Sequence, residues 1–270
     1  MGKELIYEGR RIYYRVQGSG PAVMLVHGFG ETGDVWEQQA GLLAADMQLI
    51  VPDLPGSGRS EGIADMSMEG MARVLKALAD KEGLAPFIMI GHSMGGYITL
   101  AFAEQYPALL QAFGLFHSSA FADSDEKKAT RQKGIAFIRE HGAFAFLQTA
   151  APNLFSPGYK TNHKEIVDGF IEGLSNFSAE SLVSYYEAMM KRPDRTMILK
   201  HTSVPVLFIL GQHDTAIPLA DGLKQCHLPG ISYIHILAES GHMGMLEEPG
   251  RSHEALVEFC TRAGHPGADQ

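Results

Sequence analysis

Gly91-His92-Ser93-Met94-Gly95-Gly96 sets a serine between two glycines directly after the apolar run Phe87-Ile88-Met89-Ile90. At a tight bend from a buried strand into a helix, such a hydroxyl is held out at the carboxyl edge of the sheet. Gly91 and Gly95 leave room there, where a Cβ would collide with neighbouring backbone. An alcohol is a poor nucleophile until a base takes its proton. His242, in Ser240-Gly241-His242-Met243, is the candidate base, on a glycine-bearing loop after the last apolar strand pattern. Asp214, in Gly211-Gln212-His213-Asp214, follows the apolar run 206–210 and is the candidate acid that orients the imidazole and stabilises its protonated form. The chain order is then Ser, Asp, His. Asp123 and Asp125, beyond the strand pattern ending near Phe116, compete for the acid's place. Asp214 is preferred because it lies closer to its strand end, with Ile217-Pro218 immediately downstream.

Acyl transfer also needs donors for the developing oxyanion. His27-Gly28-Phe29-Gly30 follows the apolar run ending at Val26, and its glycines let the backbone turn so that the Phe29 amide points at the site. The Met94 amide, immediately after the nucleophile, is the second donor; such donors are worth about 2.7–4 kcal/mol each where removed by mutation. His27 itself reads as a hydrogen-bonded structural residue.

These residues need a scaffold that brings four strand ends to one edge. Short apolar runs at 22–26, 48–51, 87–90, 112–116, 204–210 and 233–237, bounded by Gly, Pro or Asp, read as buried parallel strands; 12–16 alternates like a half-exposed one. Helical spacing falls between them at 35–45, 68–81 and 94–105, with Pro107 ending the last, and a final helix is expected over 245–262. The pattern is α/β and doubly wound. Between 123 and 200 the alternation stops and helical patterns follow one another at 127–141, 143–149, 164–174 and 178–191. A core of residues 1–122 and 201–270, with a helical insertion of 123–200, accounts for this. The tail from Gly264 to Gln270 reads as frayed.

Composition excludes other classes. The 270 residues are 45% apolar and 20% charged, as in a soluble globular protein, and no window approaches the roughly 18 apolar residues of a membrane span. The charged first eleven residues show no secretory h-region, and Ile6 stands where a myristoylation motif needs Ser or Thr. Cys226 and Cys260 form no paired framework, which points to a reduced, cytoplasmic protein with Cys260 in the core. A net charge of -9 argues against a nucleic-acid partner. The basic cluster Lys127, Lys128, Arg131 and Lys133 reads as a solvated helix face.

The motifs together resemble the α/β-hydrolase superfamily in its cap-bearing serine-hydrolase form, the carboxylesterase and meta-cleavage-product-hydrolase branch, over nearly the whole chain. The resemblance is carried by His27-Gly28-Phe29-Gly30, Trp36, the run from Asp53 to Ser60, the Ser93 bend, the run from Gly211 to Asp214, and Gly241-His242 with Glu247-Glu248-Pro249. It implies an eight-stranded, mostly parallel sheet with helices on both faces and one antiparallel pair near the N-terminus. It carries over Ser93, Asp214 and His242 as a triad and Phe29 and Met94 as the oxyanion hole, with a structural role for the 53–60 loop.

Within that superfamily Ser93 excludes relatives with an aspartate nucleophile. The expected reaction is hydrolysis of a small or medium apolar carboxylic ester, a small-molecule substrate, with no metal or organic cofactor. Phe121, Phe144, Phe146, Tyr185, Met189 and Met243 are the candidate substrate-binding residues, because the insertion is rich in aromatic and flexible apolar groups. Three alternatives share the motifs: a carbon-carbon hydrolase of the meta-cleavage type, a cofactor-free perhydrolase, and a slow-turnover ligand receptor. The first needs polar groups for a second carboxylate, and the insertion offers Arg131, Arg139, Lys191, Arg192 and Arg195 without indicating which faces inward.

Overall fold

The computed structural model describes residues 2–84 and 86–264. Met1 and the tail from His265 to Gln270 lie outside the described residues. Eight strands form one sheet: β1 (Gly2–Tyr7), β2 (Arg10–Gln17), β3 (Ala22–Val26), β4 (Gln48–Pro52), β5 (Phe87–His92), β6 (Leu110–Phe116), β7 (Val206–Gly211) and β8 (Ser232–Leu237). Their spatial order is β1-β2-β4-β3-β5-β6-β7-β8. The strand β2 runs antiparallel to both β1 and β4, so there are two antiparallel pairings where one was expected, and β3 to β8 are parallel. The unexpected strand β1 sits at the edge with Ile6 exposed and only partial burial elsewhere. A strand with so little apolar burial leaves a weak alternation signal in sequence.

Three helices precede the long insertion: α1 (Glu37–Leu43), α2 (Met68–Glu82) and α3 (Met94–Gln105). The Ser67 side chain caps α2 by accepting from the Gly70 amide, and Gly83 ends it at φ 66°, a left-handed value that costs glycine nothing. Between β6 and β7 come α4 (Asp125–His141), α5 (Ala143–Ala150), α6 (Pro157–Asn162), α7 (Lys164–Gly173), α8 (Ala179–Lys191) and α9 (Thr196–His201), with no strand among the described residues. After β7 lie α10 (Leu219–Leu223), α11 (Gly244–Glu247) and α12 (Pro249–Gly264). The single final helix expected over 245–262 is thus broken at Glu248, whose φ of -129° is not helical. Pro249 explains the break, since its ring disfavours helical backbone at the preceding residue and it has no N–H to donate.

Successive residues along the central strands feed two cores on opposite faces of the sheet. Met24, Val26, Phe87 and Met89 pack with Leu75 of α2 and Ile98 and Phe102 of α3. Val23, Leu25, Ile88 and Ile90 pack with Trp36, Leu43 of α1 and Leu256 and Phe259 of α12. Leu147, Tyr185 and Met189 of the inserted helices join the first core. Each such side chain, fully buried, contributes about 1.5–3 kcal/mol, so the inserted helices share the apolar packing that holds α2 and α3 to the sheet. Both cysteines are buried and unpaired. No described helix is long and apolar enough to cross a membrane.

Candidate active site

Ser93 connects β5 to α3 with φ 50° and ψ -116°, a conformation that a non-glycine residue adopts only under strain. The strain is held by close packing: a Cβ at Gly91 would collide with the Gly95 carbonyl, and a Cβ at Gly95 with the Val26 carbonyl. The Ser93 amide donates to the Phe116 carbonyl of β6 at 2.9 Å, and the Ser118 hydroxyl donates to the Ser93 carbonyl at 2.7 Å. Met94 opens α3, and amides of a first helical turn have no intrahelical acceptor, so its N–H is available to an anion at Ser93.

The loop after β3 passes directly against the serine, with a Cβ at Gly28 coming within 3.0 Å of Ser93 Cβ. The Gly28 amide donates to the Glu31 carboxylate at 2.7 Å, which fixes the turn carrying Phe29. His27 is fully buried; its Nδ1 faces the Gly28 carbonyl at 2.8 Å, and its Nε2 accepts from the Leu54 amide at 2.9 Å. Those contacts require a neutral ring with the proton on Nδ1, and burial lowers its pKa accordingly. Asp53 ties the next loop together, accepting from the Gly33 and Arg59 amides and from the Arg59 side chain, all at 3.0 Å.

Asp214, after β7, is buried and accepts four donors. Its Oδ1 takes the Ala216 and Ile217 amides, both at 2.8 Å, and its Oδ2 takes Nδ1 of His242 at 2.8 Å and Nδ1 of His117 at 3.1 Å. Burial works against ionisation, but the two imidazoles outweigh it and hold the carboxyl well below the usual range. With Nδ1 of His242 committed to the carboxylate, Nε2 is left as its basic nitrogen. The His242 loop is itself clamped: the His242 amide donates to Leu154 O at 2.6 Å, and the Glu247 carboxylate takes the amides of Gly241 and Met243 at 3.0 Å and of Ser156 at 2.8 Å.

The competing acids are occupied elsewhere. Asp125 is fully exposed, in the first turn of α4. Asp123 is buried between Arg131, at 2.6 Å, and Arg192, at 2.9 Å. Arg131 therefore turns inward from the helix face expected to be solvated, because a buried carboxylate needs a paired cation. Of the other cations considered for a second carboxylate, Arg195 is paired with Glu69 and Glu104 and Arg139 with Glu187.

Against Phe29, on the loop after β3, the inserted helices place a group of rings. Tyr186 of α8 stacks on Phe29 at 4.3 Å between centroids and 6° between planes, and Phe146 and Tyr185 meet Phe29 edge-on at 6.4 and 6.3 Å. Met189 is buried in the same core. Phe144 is half-buried on α5. Phe121 lines a separate cavity of about 260 Å³ with Lys127, Arg192 and Ile217. Met243 is fully buried in the other core beside Trp36 and Met245, so it fills the interior and does not line a pocket. A cleft of about 810 Å³ lies between the 62–69 loop and α8, and its lining includes neither Ser93 nor a histidine.

Sequence reasoning did not single out His117, Glu31 or His92 as site residues. Only His117 left a signal, as the first polar residue after the β6 apolar run. It is fully buried at φ 48°; burial pushes its pKa down to about 4, and its Nε2 has no hydrogen-bond partner, so a neutral ring donating from Nδ1 leaves only an unfilled acceptor there.

The fold and the strained serine define a class: the chain is a hydrolase of the α/β-hydrolase fold. The family model for the alpha/beta hydrolase fold matches residues 21–133. The structure is similar to a thermophilic esterase from Thermogutta terrifontis, with a TM-score of 0.92 and 28% identity over 98% of this chain and all of that one. In sequence it is 27% identical to 3-oxoadipate enol-lactonase 2 of Acinetobacter baylyi, covering 91% of each chain. It is 24% identical to the 2-hydroxy-6-oxo-6-phenylhexa-2,4-dienoate hydrolase of Comamonas testosteroni, covering 93% of this chain and 91% of that one.

Proposed function

We propose that the protein is a serine carboxylesterase acting on small or medium apolar esters, with Ser93, His242 and Asp214 as its triad. The observation that carries this reading is the strained Ser93 at the start of α3, preceded by His92, whose ring meets the carbonyl of the same His242 whose Nδ1 is 2.8 Å from the buried Asp214. Ser93 Oγ attacks the ester carbonyl while His242 Nε2 takes its proton. The imidazolium so formed is stabilised by Asp214, and the oxyanion is received by the Phe29 and Met94 amides. Collapse of the tetrahedral species breaks the C–O bond, and His242 gives the proton to the leaving alcohol. Water then attacks the acyl-serine by the same route and frees the acid. No step calls for a metal or an organic cofactor.

The partly buried rings of Phe29, Phe146 and Tyr186 support an apolar acyl or alcohol group. The commitment of Arg131, Arg192 and Arg195 to internal carboxylates weighs against the carbon-carbon hydrolase reading, which needs a cation for the substrate. The residues 123–200 would act as a cap over Ser93. A panel of esters, thioesters, lactones and vinylogous diketones, with the Ser93→Ala protein as control, tests the assignment. Turnover of apolar esters that is lost in the variant supports it, and turnover of the diketones alone moves the protein to the carbon-carbon class.

A further inference from the structure

His92, the residue before the nucleophile, is fully buried with an acceptor at each ring nitrogen. Nδ1 lies 2.9 Å from Glu31 Oε2, and Nε2 lies 2.9 Å from the carbonyl oxygen of His242. A backbone carbonyl can only accept, so Nε2 must carry a proton. An ionised carboxylate can only accept, so Nδ1 must carry one as well. A neutral imidazole cannot do both. One neutral arrangement would satisfy the same contacts, with the second proton moved to Glu31. The donor count at Glu31 selects against it, because Oε2 also takes the Gly28 amide at 2.7 Å, and two donors on one oxygen favour the carboxylate.

We propose that His92 is a standing imidazolium, paired with the Glu31 carboxylate, and that this buried ion pair is a positioning device for the reaction. It ties two loops through one ring: Glu31 holds the Gly28 amide beside the oxyanion donor Phe29, while His92 holds the backbone carbonyl of the base His242 itself. The functional half of this proposal rests on the serine-hydrolase reading; the protonation half does not.

The electrostatics agree with the geometry. Burial disfavours the charged ring, but the charge and hydrogen bond of Glu31 outweigh it and raise the His92 pKa, while His92 lowers that of Glu31. The other ionisable groups facing the ring are His242 at 4.9 Å and His117 at 6.1 Å between centroids, with Asp214 and His27 also close enough to act on it electrostatically. A raised histidine pKa sets the sign: the tie is intact below about 6.5 and is lost as pH rises through the higher folded value. Activity then carries an alkaline limb, because deprotonated His92 releases either Glu31 or the His242 carbonyl.

The decisive experiment is imidazole nitrogen NMR of the whole protein labelled with [15N]histidine, at pH 7, with Glu31→Gln beside it. The expected result is His92 protonated at both nitrogens in the native protein and at one in Glu31→Gln. In the same variant kcat falls by about 10- to 100-fold at little-changed KM, as expected for misplaced reacting groups, and the alkaline limb moves to lower pH. A single protonated nitrogen on His92 in the native protein overturns the proposal. So does a Glu31→Gln enzyme that melts earlier while keeping its kcat and pH profile. Ser93→Ala reports on the hydrolase reading alone, since loss of that hydroxyl leaves both His92 nitrogens with their acceptors.

Discussion

Asp214 Oδ2 accepts from Nδ1 of His242 at 2.8 Å, and the oxygen beside it takes two backbone amides. The carboxylate is therefore fixed by the backbone, and the His242 imidazole is aimed by a group that cannot itself turn. Replacing Asp214 with Asn removes the charge that stabilises the imidazolium and offers the wrong hydrogen-bond partner to Nδ1. Turnover is expected to fall by about 10⁴ with KM little changed, read by steady-state kinetics on an apolar ester. A loss confined to KM would contradict the role.

His117→Asn tests the second imidazole on Asp214. Asparagine tolerates the left-handed backbone at this position and offers an N–H to the carboxylate, but it does not titrate. The folded His117 pKa of about 4 lies below the unfolded value of about 6.5, so the unfolded chain binds more protons between the two. Stability then rises with pH across that window and is complete above it, by up to about 3 kcal/mol. Urea unfolding from pH 4.5 to 7 is expected to show a shallower rise in the variant, with buried His27 supplying what remains. An unchanged slope would remove His117 from the account.

Tyr186→Ala takes away the ring stacked on Phe29 and opens space next to the oxyanion loop. The acyl-length optimum of kcat/KM is expected to move toward longer esters in a p-nitrophenyl series. An identical preference in variant and native protein would place the substrate elsewhere.

The strand ends were legible because chemistry and punctuation coincide there. Ser93, Asp214 and His242 each follow a buried apolar run and sit among glycines that leave a mark in sequence, and the structure brings Asp214 and His242 together. His92 and Glu31 carry no such mark. A histidine beside a serine and a glutamate after a glycine turn have nothing in their spacing that pairs them, and only the fold sets them 2.9 Å apart. The edge strand β1 was hidden for want of buried apolar residues, and the burial of Met243 was not legible because a methionine beside His242 looks the same whether it lines a pocket or fills the interior. The inward turn of Arg131 was equally silent, since Asp123 eight residues earlier is its partner only once α4 has formed.

The central claim is that Ser93 is the nucleophile. A fluorophosphonate probe followed by peptide mass spectrometry addresses it directly. The account expects one adduct, on the peptide carrying Ser93, formed in step with loss of esterase activity, and neither labelling nor turnover in a folded Ser93→Ala protein. An adduct on another residue, or ester hydrolysis that persists in Ser93→Ala, would contradict it.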